Sequence, residues 1–209
     1  MNILNIFVLV VSYLLGSIPF GYLIGKMKGI DVRQYGSGNI GTSNVARTVG
    51  KKAAMLTLLG DGLKGLIPVL LARALLGGNV WAAAAGLAAV IGHNWPVFLK
   101  FKGGKGVTTT YGAFLGIAWL PALVTILIWI LVSRTTRKAS IAALISAPCA
   151  PILAYLATLL IPGAQLPVIL FAVITFILIY IRHVDNIKRL IAGTELRLDQ
   201  KIPTDKEEE

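Results

Sequence analysis

The chain has 209 residues, 56% of them hydrophobic and only 14% charged, with a formal net charge of +11. Soluble domains usually carry about 25% charged residues, so the composition does not fit a water-soluble domain. A nucleic-acid-binding protein with this charge would have a far denser set of basic side chains, and the apolar content excludes disorder for most of the chain. These numbers predict an integral membrane protein that contacts lipids and binds no nucleic acid.

The few cysteine, histidine and acidic residues exclude several kinds of site. The single cysteine, Cys149, has no partner for a disulfide and cannot supply a cysteine-based zinc site. The two histidines are too few for most metal centres, so we expect no metal site and no cofactor. Five of the nine acidic residues lie in 199–209. We therefore predict one membrane-embedded domain over 1–198, followed by an acidic, disordered cytoplasmic tail over 199–209.

Apolar segments long enough to cross a bilayer of about 30 Å follow one another along the chain. The first, 3–25, has no basic leader and no small-residue cleavage site, so we predict a retained helix rather than a signal peptide. Its glycines and proline around residues 16–21 suit close helix packing or a kink. Further spans are predicted at 53–76, 81–99, 139–161 and 165–181.

The segment 111–132 is also apolar, and the charges around it decide how often it crosses. Lysine and arginine gather in four clusters, at 26–52, 100–105, 134–138 and 182–197. Under the positive-inside rule all four lie in the cytoplasm, so the segment must form a hairpin that turns at 119–121. Its two legs, each about 17 Å long, are short for a full crossing, so they recruit residues 107–110, tilt, or lie in a locally thinned bilayer. We predict an all-α integral membrane protein with about seven transmembrane helices, N-terminus outside and C-terminus cytoplasmic; six is the alternative.

The first cytoplasmic loop combines three glycines with small hydrogen-bonding residues and ends in an arginine. Glycines permit a tight turn whose backbone N–H groups converge on an anion. Arg47 adds a planar, permanently charged group suited to phosphate. An ordinary polar loop is the alternative, but such loops rarely combine these residue types. We predict an anion-binding site with Gly36, Ser37, Gly38, Asn39, Asn44 and Arg47.

The second loop places Lys105 among glycines, which again predicts an anion-binding turn. It is not a Walker A loop, because Leu99 stands where the first glycine is required and Gly106 stands where a serine or threonine is required. ATP hydrolysis is therefore disfavoured. Lys100 and Lys102 are expected to contact lipid headgroups. The predicted site residues here are Gly103, Gly104, Lys105 and Gly106.

The third segment is predicted to continue the last helix out of the membrane, which places His183 and Asn186 on one face, three residues apart. A histidine that only meets lipid headgroups is the alternative, but two glycine–base loops on the same side favour a site. Asp61 and Lys64 lie inside a predicted span. They are either functional or a mutually neutralising structural pair, and the sequence does not decide between these hypotheses.

Three anion-binding segments on one membrane face predict one substrate with several phosphates, or two phosphorylated substrates. The candidates are a transferase acting on lipid precursors, an anion or phospholipid transporter, and a non-catalytic scaffold. The His-x-x-x-x-Asp acyltransferase motif fails, because Phe98 and Lys188 occupy the aspartate position after the two histidines. No several-aspartate pattern of metal-dependent phosphotransferases and no Gly-x-Ser-x-Gly elbow is present.

The three segments together resemble the cytoplasmic motifs of the bacterial acyl-phosphate-dependent glycerol-3-phosphate acyltransferases. The resemblance covers about residues 1–198, and its motifs occur in the family's order. It rests on Gly36-Ser37-Gly38-Asn39 with Asn44 and Arg47, on Gly92-His93 with Pro96 and 101–107, and on Arg182-His183 with Asn186-Ile187.

The resemblance implies transfer of a fatty acyl group from acyl phosphate to the 1-hydroxyl of glycerol 3-phosphate, giving lysophosphatidic acid and phosphate. It implies a multi-pass protein of the bacterial inner membrane with a cytoplasmic active site, and it leaves open an association with the soluble enzyme that makes acyl phosphate. Ser37, Arg47 and Lys105 are expected to bind phosphate, and His183 and Asn186 to position glycerol 3-phosphate. Ser140 is a weaker candidate. The general base is either His183 or the phosphate of the donor, which we rank slightly higher.

Overall fold

The computed structural model describes residues 2–160 and 166–205, and within these ranges the regular structure is helical. Its helices are α1 (Ile3–Gly16), α2 (Phe20–Met27), α3 (Thr42–Thr48), α4 (Lys51–Leu76), α5 (Gly78–Asn94), α6 (Val107–Ile117), α7 (Trp119–Thr136), α8 (Ala139–Leu160), α9 (Leu166–Arg182) and α10 (Val184–Ile191), with a 3-10 turn at Val97–Leu99.

The described helices fit a membrane protein by length and composition. Five of them, counting α1 and α2 as one, are long and apolar enough to cross a bilayer, and α9 with α10 makes a sixth bent by 55°. The all-α integral membrane architecture is thus confirmed. The count of seven stays a prediction, because it depends on α6, whose 11 residues rise only about 17 Å. The predicted helix ends at 161 and 165 lie outside the described residues.

The first span is broken rather than continuous. α1 ends at Gly16 and α2 begins after Pro19, where the sequence predicted one helix with a possible kink. Gly16 lies directly on α5, because a Cβ atom at this position would overlap the backbone of Ala89. The glycine and the proline therefore serve the two purposes that the sequence suggested, close packing and a change of direction.

The predicted break within 111–132 is confirmed, although it lies at Ala118, one residue before the predicted turn. α6 begins at Val107, so it does recruit the preceding polar residues. Pro121 lies in the first turn of α7, where its missing N–H removes no helical hydrogen bond. The two legs are unequal, with 11 residues in α6 and 18 in α7.

α4 and α6 approach each other closely through glycines. A Cβ atom at Gly65 would overlap the carbonyl oxygen of Thr109, and one at Gly112 would overlap that of Gly62. Backbone contact of this kind needs small residues on both helices. Because α6 follows directly after residues 103–106, this packing fixes the second loop against α4.

The end of the chain differs from the sequence prediction in two ways. The third segment does not continue the last helix, since the chain bends by 55° at His183 and α10 runs on in a new direction. Residues 199–205, predicted to be disordered, lie on the first loop: the backbone N–H of Ile202 donates to the carbonyl of Arg47 at 3.1 Å, and the Tyr35 hydroxyl donates to Asp205 at 2.6 Å. Residues 206–209 lie outside the described residues.

Candidate active site

Asn44 folds the first loop around itself. Its amide nitrogen donates to the carbonyls of Val32 (2.8 Å) and Tyr35 (3.1 Å), and its amide oxygen accepts from the backbone N–H of Ser37 at 2.9 Å. Gly36 has φ of +61°, and a Cβ atom there would overlap the Asn44 oxygen, so this position requires glycine. Asn44 and Gly36 thus shape the loop that presents Ser37.

Arg47 lies in α3 beneath this loop and is 9% exposed. One of its terminal nitrogens lies 3.4 Å from the Ser37 hydroxyl, while its Nε has no hydrogen-bond partner among the described residues. Burial lowers the pKa of the Arg47 guanidinium from its ordinary value, but an arginine remains charged in proteins. A buried guanidinium with a free donor is suited to an incoming anion.

The second loop brings Lys105 to the same place. Its ammonium group donates to the side-chain oxygen of Asn186. Arg182 holds the loop from the α9 side, with Nε 2.9 Å from the carbonyl of Gly104 and Nη2 3.0 Å from that of Gly103. The pKa of Lys105 is lowered to about 8, chiefly by burial; the charge of the nearby Glu195 acts to raise it, and the charges of the surrounding arginines act to lower it.

His183 is oriented by the backbone. Its Nδ1 lies 2.8 Å from the carbonyl oxygen of Ile179, one helical turn earlier, and a carbonyl can only accept. In the neutral ring the proton therefore resides on Nδ1, and the Nε2 lone pair is free. Burial, and then the charge of Lys105, lower the pKa of His183 to about 4, so the ring is neutral at pH 7. The sequence offered no carboxylate to orient this histidine, and a backbone carbonyl does so instead.

Two residues of the site, Glu195 and Arg189, were not among the site residues predicted from the sequence. Glu195 accepts from the Asn186 amide nitrogen at 2.6 Å and from Arg189 Nε at 2.8 Å, so it joins both to the site. Burial raises the pKa of Glu195, but the neighbouring Ser140, Asn186 and Arg189 side chains outweigh burial and hold it below the ordinary value. The sequence did contain one feature that could have pointed to Glu195 as a site residue, since it is one of only four acidic residues before residue 199.

A single cavity of about 460 Å³ joins the three segments. Its polar end is lined by Ser37, Arg47, Lys105, Ser140, His183 and Asn186, and Asn39, Asn44 and Gly106 also border it. Its apolar wall comes from α4, α6 and α7, with Leu59, Leu63, Leu115, Ile126, Trp129 and Ile130. The remaining predicted glycines shape the loops and do not line the cavity: Gly36, Gly38, Gly103 and Gly104.

A second, polar opening of about 150 Å³ adjoins the cavity. The two share Ser37, Asn39, Lys105, Asn186 and Arg189. Lys105 thus borders both spaces, which is the arrangement that two phosphate-bearing molecules bound side by side would need. The apolar wall fits an alkyl chain, since ligand sites are mostly apolar with a few polar groups that fix orientation.

Fold and site together define a class: an all-α membrane protein with an anion-binding cluster at the end of an apolar cavity, suited to an amphiphile with a phosphate head. Comparison with known proteins makes this specific. The family model described as glycerol-3-phosphate acyltransferase matches residues 6–193. The chain belongs to this family.

Individual relatives cover nearly the whole chain. A glycerol-3-phosphate acyltransferase of Rubrobacter xylanophilus is 45% identical over 192 residues, 92% of this chain and 94% of that protein. The crystal structure of PlsY (YgiH), an integral membrane glycerol 3-phosphate acyltransferase, in its glycerol 3-phosphate form has 40% identity and a TM-score of 0.86. Its lysophosphatidic acid form has 39% identity and a TM-score of 0.83, and both alignments cover 92% of this chain and 94% of that one.

Proposed function

We propose that this chain transfers a fatty acyl group from an acyl phosphate to the 1-hydroxyl of sn-glycerol 3-phosphate, the first acylation of phospholipid synthesis. The observation that carries the proposal is the single cavity that joins buried cations to an apolar wall. An acyl phosphate has this amphiphilic shape. The reaction needs no protein nucleophile, because phosphate is a good leaving group and alignment with charge neutralisation suffices.

The polar side chains of the cavity are assigned either to phosphate binding or to the positioning of glycerol 3-phosphate. Arg47 and Ser37 are assigned to phosphate binding from the side of the first loop, and Lys105 from the second loop. The free Nε of Arg47 and its burial support this role. Asn186, in contact with both Lys105 and Glu195, is assigned to glycerol 3-phosphate together with His183. Ser140, which lines the cavity beside them with a buried side chain, completes the set.

The proton of the attacking hydroxyl goes to a phosphate oxygen of the donor. The substrate oxygen attacks the acyl carbon, the bond from that carbon to the phosphate oxygen breaks, and inorganic phosphate leaves with the proton. Burial lowers the pKa of His183 to about 4, so its imidazole is a weak proton acceptor. His183 then positions the hydroxyl through Nε2 and does not act as the base.

We place the site on the cytoplasmic face of the bacterial inner membrane, in one domain over 1–198 with seven helices, the N-terminus outside and the C-terminus inside. The basic loops support this orientation, since the residues of the polar end come from the lysine- and arginine-rich segments. Glycerol 3-phosphate is water-soluble and reaches such a site directly. A soluble enzyme that makes acyl phosphate would deliver the donor to the same face.

The test is an incubation of the purified, folded protein with labelled glycerol 3-phosphate and palmitoyl phosphate. Labelled lysophosphatidic acid should form, with release of one phosphate for each ester made. Omitting palmitoyl phosphate is the control and should leave the label in glycerol 3-phosphate. Uptake of label into liposomes without ester formation would instead identify a transporter and overturn the proposal.

A further inference from the structure

Three ionisable side chains are buried within the membrane-spanning region, below the second loop. The Lys64 ammonium lies 2.7 Å from the Asp61 carboxylate, and His93 Nδ1 lies 3.7 Å from the same carboxylate oxygen. All three are at most 4% exposed. Charges in a membrane interior are costly and persist where they have a function or a partner. Asp61 and His93 also line the cavity described above, but the proposed reaction assigns no role to any of the three.

Lys64, paired with Asp61, contacts the backbone at the break between α1 and α2. The Lys64 ammonium donates to the carbonyl of Ile18 at 2.7 Å, and this carbonyl lies in the break between α1 and α2. An exposed backbone carbonyl at a helix break needs a donor in an apolar environment. Asp61 balances the charge of the lysine. His93 Nδ1 faces Asp61 Oδ1 at 3.7 Å, beyond hydrogen-bond distance, and neither atom has a hydrogen-bond partner in the ranges 2–160 and 166–205.

His93 instead contacts the loop that carries Lys105. The backbone N–H of Gly104 donates to the carbonyl of His93 at 3.0 Å. The imidazole ring lies against Gly104 so closely that a Cβ atom there would overlap Nε2, and one at Gly103 would overlap the His93 carbonyl. The loop thus rests on the end of α5, and the ring forms the surface beneath it.

Arg182 holds the opposite side of the same two residues through their carbonyls. Gly103 and Gly104 are therefore clamped between α5 and α9, immediately before Lys105. The clamp fixes the backbone from which the flexible four-carbon side chain of Lys105 extends, and therefore the point from which its ammonium reaches Asn186. The Asp61–Lys64 pair, anchored to the α1–α2 break, borders the ring on its Nδ1 side.

We propose that His93 is a positioning residue for Lys105, acting through the contact of its Nε2 edge with Gly104. The inference rests on the proposed function, since it assigns a role within that site. A positioning role predicts a loss of substrate affinity without a matching loss of stability. Substitutions of His93 can test this contact, because they differ in which ring atom they replace. Glutamine reaches the Nε2 position, asparagine reaches only the Nδ1 position, and alanine reaches neither.

The experiment compares His93→Ala, His93→Asn and His93→Gln with the wild type, measuring KM for glycerol 3-phosphate, kcat and the melting temperature. Alanine and asparagine should raise KM at least tenfold while kcat falls no more than threefold, and glutamine should restore KM to within threefold. Thr57→Val is the matched control, because Thr57 is buried in α4, bonds only to its own helix and does not line the cavity. It should leave KM unchanged.

Two results would overturn the inference. The first is a KM for His93→Ala within twofold of the wild type. The second is rescue by asparagine rather than glutamine, which would show that the contact with Asp61 matters instead. Stabilisation of each variant against heat by added glycerol 3-phosphate is measured in parallel. If the wild type binds this ligand but makes no ester, the proposed function fails. The ranking of the variants by their stabilisation with glycerol 3-phosphate still decides the role of His93.

Discussion

The ammonium group of Lys105 donates a hydrogen bond to the side-chain oxygen of Asn186, although the two residues are 81 positions apart. This contact joins the glycine loop before α6 to the helix after the bend at His183. The amide nitrogen of Asn186 in turn donates a hydrogen bond to the carboxylate of Glu195 at 2.6 Å. One cation, one amide and one carboxylate thus link two of the three segments, and the consequences for activity can be measured.

Arg47→Ala and Lys105→Ala should each lower kcat/KM by at least about 100-fold, because each removes a charge-assisted hydrogen bond to a phosphate in a water-poor site. The measurement is lysophosphatidic acid formation by purified, monodisperse protein. Lys100→Ala is the matched control, since Lys100 is exposed on the same loop and does not line the cavity. A loss for Lys100→Ala as large as for Lys105→Ala would contradict the assignment.

His183→Gln should keep more activity than His183→Ala, by about tenfold or more. Glutamine places a polar atom near the position of Nε2 and so can hold the hydroxyl, but it cannot accept a proton as a base. Single-turnover rates at saturating substrate give the comparison. If glutamine were as inactive as alanine while the substrate still bound, His183 would be the base and the donor phosphate would not.

The pH profile of kcat/KM should decline as the pH rises above about 8. The charged form of Lys105 binds phosphate, its pKa in the free enzyme is about 8, and the charged fraction falls as the pH passes this value. Lys105→Arg, assayed between pH 6 and 10, should lose this decline because arginine stays protonated. An unchanged decline in the arginine variant would assign the titration to another group.

Glu195→Gln should destabilise the protein by about 1 kcal/mol at pH 7, because the amide keeps the shape of the side chain but loses its charge-assisted hydrogen bond with Arg189. The pKa of Glu195 is lowered on folding, so its stabilising effect is present above its ordinary value of 4.5 and is lost as the pH falls below it. The melting temperatures of variant and wild type should therefore converge as the pH falls below 4.5 and through the lower pKa of the folded state. Parallel curves at all pH values would show that charge is not the cause.

The membrane class and most helices could be predicted from the sequence because hydropathy is local. A bilayer demands about 20 consecutive apolar residues, and the predicted spans overlap α1, α4, α5, α8 and α9. The break before α7 followed from the charge pattern, since the basic clusters flank the apolar segment 111–132. The glycine–base loops were recognisable for the same reason, because turn-forming residues and cations stand next to each other in the chain.

Only the tertiary structure decided how these segments meet. The bend at His183 turns α10 and carries Glu195 to Asn186, and no local pattern sets that angle. The same holds for the contact of His93, at the end of α5, with Gly104. Glycine is required at position 104 because a Cβ atom there would overlap the His93 ring, and this is visible only in the folded chain. Sequence composition determines what each segment can do in a bilayer or a turn, whereas long-range packing determines which segments become neighbours. The hydrogen bond from Lys64 to the carbonyl of Ile18, 46 positions away, is another contact that no local pattern reveals.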